Sequence, residues 1–296
     1  MGGGQRHFGV VVGVDGSAPS DEAVRWAARE AALRKLRLTL VYALATPALP
    51  WPAERMPTDV RQRLEVDARA IIDKAVKIAE DTGSVGDPAD IESQLVFSAP
   101  VPTLVDMSKD ARIVAVGARG LGPVRSVLLG SVSTGLIHHA HCPVAVIHTD
   151  ASPQSRAVHA PVLLGSDGSP ASELATAIAF EEASLRGTRL VALHAWSDGD
   201  TARISSMEES ARQSAAEEIL AERLAGWQER YPEVSVTRIA VYGKPAAQLL
   251  DRSEFAQLVV VGSHGRGGFT GMLLGSVSTA VVQRSRTPVI VARGIQ

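Results

Sequence analysis

Residues 128–134, Leu-Leu-Gly-Ser-Val-Ser-Thr, recur residue for residue at 273–279. Around them, residues 101–148 lie over 246–293 at an offset of 145, which places Gly117 on Gly262. Nearer the N-terminus the offset is 152. It sets Val14-Asp15-Gly16-Ser17 on Ser166-Asp167-Gly168-Ser169, and Ala31-Ala32-Leu33-Arg34 on Ala183-Ser184-Leu185-Arg186. The change of offset puts a length difference in the middle of the repeat. A period this long is a duplicated domain, not a stack of the short units of a solenoid. A chain of 296 residues suits two domains of ordinary size. The expected division is 1–149 and 161–296, joined by an exposed linker at 150–160 that contains Ser152-Pro153-Gln154-Ser155.

Within each copy, short apolar runs alternate with helical periodicity. In the first, strands are expected at 8–14, 38–43, 91–97, 113–117 and 144–147. Helices are expected at 18–35, capped by Ser17 or Ser20, at 59–81, at 102–109 and from Ser131. The second copy repeats the order through strands at 162–166, 190–196, 234–241, 258–262 and 289–292. Strands that are apolar on both faces belong to a parallel sheet covered by helices, with right-handed crossovers. The fold class is therefore α/β, with two tandem doubly wound five-stranded parallel sheets of Rossmann-like architecture.

The composition narrows the partners. Apolar runs such as 144–147 and 258–261 fall far short of the roughly 20 residues that cross a bilayer, so no membrane span is expected. The opening Met-Gly-Gly-Gly-Gln-Arg-His lacks the apolar core of a secretory signal, which points to the cytoplasm. A single cysteine, Cys142, forms no intramolecular disulfide, and a formal charge of −2 offers no basic face to nucleic acid. Small-molecule partners are favoured.

In an open parallel sheet, ligands sit beyond the carboxyl ends of the strands where the strand order reverses. Asp15 and Asp167 close the first strands. Gly117, Ala118, Arg119 and Gly120 close the fourth strand of the first copy, and Gly262, Ser263, His264 and Gly265 that of the second. These turns continue through Leu121, Gly122 and Pro123, or Arg266, Gly267 and Gly268, to Gly130-Ser131-Val132 and Gly275-Ser276-Val277-Ser278. Both copies share the spacing G-x2-G-x9-G-S. The early glycines let a ligand approach bare amides that form an anion-binding concavity. The later Gly-Ser opens a helix whose free N–H groups and dipole favour phosphate, with Ser131 and Ser276 able to cap the helix and donate a hydroxyl. Isolated, such glycines would make only tight turns and such serines only caps. Two full copies, each with an acidic residue ending strand one, favour phosphate binding.

These residues resemble the universal stress protein family in its tandem, two-domain mycobacterial form, and the resemblance covers nearly the whole chain. It implies the strand order 3-2-1-4-5 and two ATP per chain. The phosphate ligands it implies are Gly117, Gly120, Gly130 and Ser131, with Gly262, Gly265, Gly275 and Ser276 in the second copy. It also implies that Gly13-Val14-Asp15 and Gly165-Ser166-Asp167 approach the ribose and phosphates, with Asp15 and Asp167 acting directly or through Mg2+. An ordinary helix N-cap is the other reading of each aspartate. By the same resemblance, adenine meets backbone at the end of strand two, at Val41 and Leu193, with Asp198 just beyond the latter. The final strands would pair the two domains within the chain and build a homodimer. The first loop departs from the family pattern at Pro123, which removes one amide.

Residues 45–57, rich in proline and containing Trp51, form either a lid or a stiff surface loop. His138-His139-Ala140-His141-Cys142 has the composition of a metal tract, but the second copy carries Gln283-Arg284-Ser285-Arg286-Thr287 there, so it reads as a basic helix end. The chain has no G-x4-G-K-[S/T], no H-R-D with D-F-G and no S-G-G-x-D-S. The expectation is an ATP-binding regulator of stress response or growth arrest that hydrolyses little or none. A slow Mg-dependent ATPase or adenylyl transferase and a nucleotide-independent scaffold are the alternatives, and the downstream partner is unspecified.

Overall fold

The computed structural model describes residues 8–44, 58–82, 90–120, 129–149, 159–196, 209–265 and 274–294. The chain divides into two compact units between Thr149 and Asp150.

The first unit runs β1 (Gly9–Gly13), α1 (Ala18–Arg34), β2 (Leu38–Ala43), α2 (Thr58–Thr82), β3 (Ile91–Val96), α3 (Pro100–Met107), β4 (Ala111–Gly117), α4 (Ser131–His139) and β5 (Val144–Ile147). All its strand pairings are parallel, β1 with β2 and β4, β2 with β3, and β4 with β5. The order is thus 3-2-1-4-5. The second unit runs β6 (Val162–Gly165), α5 (Pro170–Leu185), β7 (Leu190–Trp196), α6 (Glu209–Arg230), β8 (Val236–Tyr242), α7 (Pro245–Ser253), β9 (Leu258–Gly262), α8 (Ser276–Arg284) and β10 (Val289–Ala292). Parallel pairing of β6 with β7 and β9, β7 with β8, and β9 with β10 repeats the same order.

The central strands are buried runs of small and β-branched residues, Val10, Val11 and Val12 in β1 and Val259, Val260 and Val261 in β9. Such residues fit a pleated surface covered on both faces. β3 and β8 are the edge strands farthest from this centre and are only half-buried. β2 and β7 begin at equivalent places, Leu38 and Leu190, but their partners in β3 and β8 are Ile91 and Val236, so the offset has fallen from 152 to 145 between these strands.

Helix starts follow local chemistry. Ser17 and Ser169 cap α1 and α5, accepting from the amides of Ser20 and Ser172, and a proline occupies the first turn of each helix. Ser17, not Ser20, is therefore the cap. α3 begins at Pro100, earlier than the expected 102, because proline fits the first helical position. Near the end of α1 a Glu30–Arg34 ion pair is buried, the carboxylate side chain wholly so, and α5 repeats it as Glu182–Arg186 at 2.6 Å.

Candidate functional site

In the first unit the chain leaves β1 toward β2 on one side and later crosses to β4 on the other, so the order reverses between β1 and β4. Their carboxyl ends hold Asp15 and Gly117. Val14 is tied across to β2 by its N–H donating to the Val41 carbonyl at 2.9 Å, and Ala118 to β5 by donation to Ile147 at 2.7 Å.

Asp15 bends back on the turn that follows it. Its Oδ1 accepts from the Ser17 amide at 2.9 Å and from the Ser17 hydroxyl at 2.6 Å. The helix cap is therefore Ser17, and Asp15 is not one. Its second oxygen, Oδ2, faces Gly120 so closely that a Cβ there would collide with it. Asp167 repeats this, with Oδ1 accepting from Ser169 N at 2.9 Å and Oδ2 lying 2.6 Å from where a Cβ on Gly265 would stand. The carboxylate that ends strand one and the second glycine of the loop after strand four, remote in sequence, are neighbours in both units.

The loop ends are clamped to the following helix. Gly130 donates its amide to Ala118 O at 2.7 Å, and Gly275 to Ser263 O at 2.8 Å. Buried Ser133 donates its hydroxyl to Ala118 O and to Gly130 O, each at 3.0 Å, and buried Ser278 donates to Gly262 O at 2.5 Å. Gly130 and Gly275 are the N-caps, in extended conformation and without a side-chain cap bond. This corrects the expectation that Ser131 and Ser276 cap α4 and α8. Both serines are the first helical residues and exposed, and the first-turn amides, including those of Val132 and Val277, have no acceptor within their own helix. Ser278, expected among the ligands, is instead occupied with holding the loop.

Other glycines have packing reasons. A Cβ on Gly117 would lie 2.8 Å from the Pro19 carbonyl carbon, and one on Gly262 2.9 Å from that of Ala171, so each lets a helix start sit against a strand end. Gly13 and Gly165 leave room for Leu104 and Leu249, each 3.0 Å from the hypothetical Cβ. Val41 and Leu193 are buried strand residues whose carbonyls accept from Val14 and Ser166. A nucleobase meeting these carbonyls would use the remaining lone pair. Arg119 and His264 occupy equivalent loop positions. Leu121, Gly122, Pro123, Arg266, Gly267, Gly268 and Asp198 lie outside the described residues, as does the 45–57 loop.

Burial first, and then the nearby Asp15 and Asp67 carboxylates, raise the pKa of the Tyr42 phenol above its ordinary value, so the phenol keeps its proton beside the Asp15 turn. Among the described residues no three His, Cys, Asp or Glu side chains gather as a metal cage. A divalent cation here would be held by one carboxylate oxygen and the ligand's own phosphates, which is how Mg2+ is commonly bound. His138 and His139 stand in the last turn of α4. Sequence reasoning missed Ser133, Tyr42 and the Ser169/Ser172 pair, and left the choice between Ser17 and Ser20 open. The identical heptapeptide was the available signal for Ser133.

A doubly wound parallel sheet with a glycine turn and a facing carboxylate at its switch point, present twice, defines a tandem α/β protein of Rossmann-like fold. Residues 9–148 and 160–293 each match the universal stress protein family, and the chain belongs to that family. It is 54% identical over 293 residues to the universal stress protein Rv2623 of Mycobacterium tuberculosis strain H37Rv, covering 99% of both chains. It is 50% identical over 289 residues to a universal stress protein of Mycolicibacterium smegmatis, covering 97% of both. A universal stress protein structure from Archaeoglobus fulgidus has the same fold, with a TM-score of 0.70 at 22% identity over 97% of this chain and 99% of that one.

Proposed function

We propose that each unit binds one ATP at its switch point and that the protein is a nucleotide-dependent regulator of stress response or growth arrest. The observation that carries this reading is the approach of Asp15 Oδ2 to Gly120, repeated by Asp167 and Gly265. Two turns remote in sequence converge on one spot, beside a helix start with free amides. The first-turn amides and the Ser131 or Ser276 hydroxyl would take the phosphates. The aspartate's outward oxygen would take a ribose hydroxyl or, through Mg2+, a phosphate oxygen. A bare carboxylate repels a triphosphate, so cation dependence is expected wherever no protein cation offsets it.

The chain lacks the phosphate-loop lysine of fast NTPases, which supports holding ATP over turning it over. No helix among the described residues is long and apolar enough to cross a membrane. Pairing through β5 and β10 would give a homodimer.

The test is to denature freshly purified protein, quantify the released nucleotide per chain and repeat with Gly120→Ala, Gly265→Ala and the double variant. About two adenine nucleotides per chain, lost one site at a time, is the expected outcome from two equivalent cradles. A folded wild-type protein that neither carries nor takes up ATP would overturn the reading.

A further inference from the structure

Besides Arg119 and His264 in the loops, the two sites differ over the turn that follows strand one. Gly16 and Gly168 are equivalent and both adopt left-handed backbone, with φ of 82° and 77°. In the first unit the side chain packed over this glycine is Ile71 of α2, with its Cγ1 3.3 Å from where a Cβ would stand. In the second unit the place is taken by the guanidinium of Arg223 on α6, which a Cβ on Gly168 would strike. Ile71 and Arg223 are related by the same offset of 152 as the turns they cover.

Arg223 is held there by its helix. Leu220 and Leu224 on either side of it are buried, and one turn on, Trp227 stacks 6.2 Å from the buried Phe180 of α5, with Tyr231 5.9 Å from the same ring. These contacts fix the rotation of α6. Arg223 as a residue is exposed, and its guanidinium lies over Gly168, beside the turn that carries Asp167.

We propose that Arg223 is a specificity-determining residue of the second site, binding a phosphate group of the nucleotide and offsetting the charge of Asp167. The second site then takes ATP with little need of a divalent cation. In the first site an isoleucine stands at this position, and ATP depends on Mg2+ to screen Asp15. The assignment rests on the nucleotide reading of both sites. A planar guanidinium suits this task because it donates in a fixed fork to phosphate oxygens and stays charged at any physiological pH.

The experiment uses the full chain with Gly120→Ala, which leaves only the second site, and titrates ATP calorimetrically in Mg2+ and in EDTA, with adenosine as a phosphate-free control. Arg223→Ile is expected to weaken ATP binding in EDTA by about tenfold or more, the scale of a lost charge-assisted contact. Mg2+ should restore most of the loss, Arg223→Lys should lose less, and adenosine binding should be unchanged. Conversely, Ile71→Arg in a Gly265→Ala chain should reduce the cation requirement of the first site. ATP affinity unchanged by Arg223→Ile in EDTA, or an equal loss for adenosine, would overturn the role of Arg223 while leaving nucleotide binding intact. Absence of ATP binding in every form, in both buffers, would instead remove the nucleotide reading and this assignment with it.

Discussion

Gly117 and Gly120 stand three positions apart in one turn, yet the structure gives them opposite sensitivities to a single methyl group. At Gly117 the added carbon would lie 2.8 Å from the Pro19 carbonyl carbon and 2.9 Å from the Ser20 amide nitrogen, where ordinary contact begins at 3.4 Å. Those atoms are backbone at the start of α1, so the helix must back off by about 0.6 Å, an overpacking of the kind that costs about 1–3 kcal/mol. For a unit of this size that is a fall in Tm of about 3–10 °C. Gly262→Ala meets Ala171 at 2.9 and 3.0 Å and should cost slightly less. At Gly120 the obstacle is Oδ2 of Asp15, a side-chain tip that can swing aside while Oδ1 keeps its bonds from Ser17, for about 0.5–1.5 kcal/mol. Gly120→Ala should therefore melt close to wild type while losing nucleotide. The assay is scanning calorimetry on nucleotide-free protein, because bound ligand raises Tm by mass action and would mix the two effects. Equal stability losses for Gly117→Ala and Gly120→Ala, or none for Gly117→Ala, would refute the reasoning.

The buried Cys142 thiol, whose pKa is pushed up to about 12 chiefly by burial, should resist a disulfide reagent at pH 8 in native protein and react at once after denaturation. Because its folded pKa is raised, the stability from keeping this thiol neutral is intact below its ordinary value of 9.0 and is lost as pH rises toward about 12, which urea titrations at pH 8 and pH 10.5 would detect. Ser278→Ala removes the hydroxyl that holds α8 to Gly262, and should cost about 1 kcal/mol and hasten hydrogen exchange at the Gly275 amide. An unchanged exchange rate would show that the backbone alone holds the loop.

The fold was readable because the duplication let each apolar run be checked against its twin, and because buried parallel strands such as Val144–Ile147 carry no competing pattern. The switch-point turns were readable for the same reason. What escaped depends on approach between distant segments. The spacing G-x2-G contains two glycines of different purpose, one making room for Pro19 and one for a carboxylate, and no local pattern separates them. The cap at Gly130 in place of Ser131 is a one-residue shift, the scale on which helix boundaries are least determined by local preference. Arg223 looks in sequence like any charge on the outer face of a helix. Only the fold brings it to Gly168.

The buried Glu30–Arg34 and Glu182–Arg186 pairs bear on how the two halves have been free to drift. Losing either partner alone strands a charge inside the protein, at about 3–5 kcal/mol, against a total stability of about 5–15 kcal/mol for a domain. Replacing both at once by well-packed apolar residues would be close to neutral, but that route passes through a badly destabilised intermediate. The pair is thus locked by its own interdependence, and both halves still carry it. The position of Ile71 and Arg223, half-buried in one half and exposed in the other, carries no such buried pair, and there an ancestral duplication could acquire two sites with different appetites.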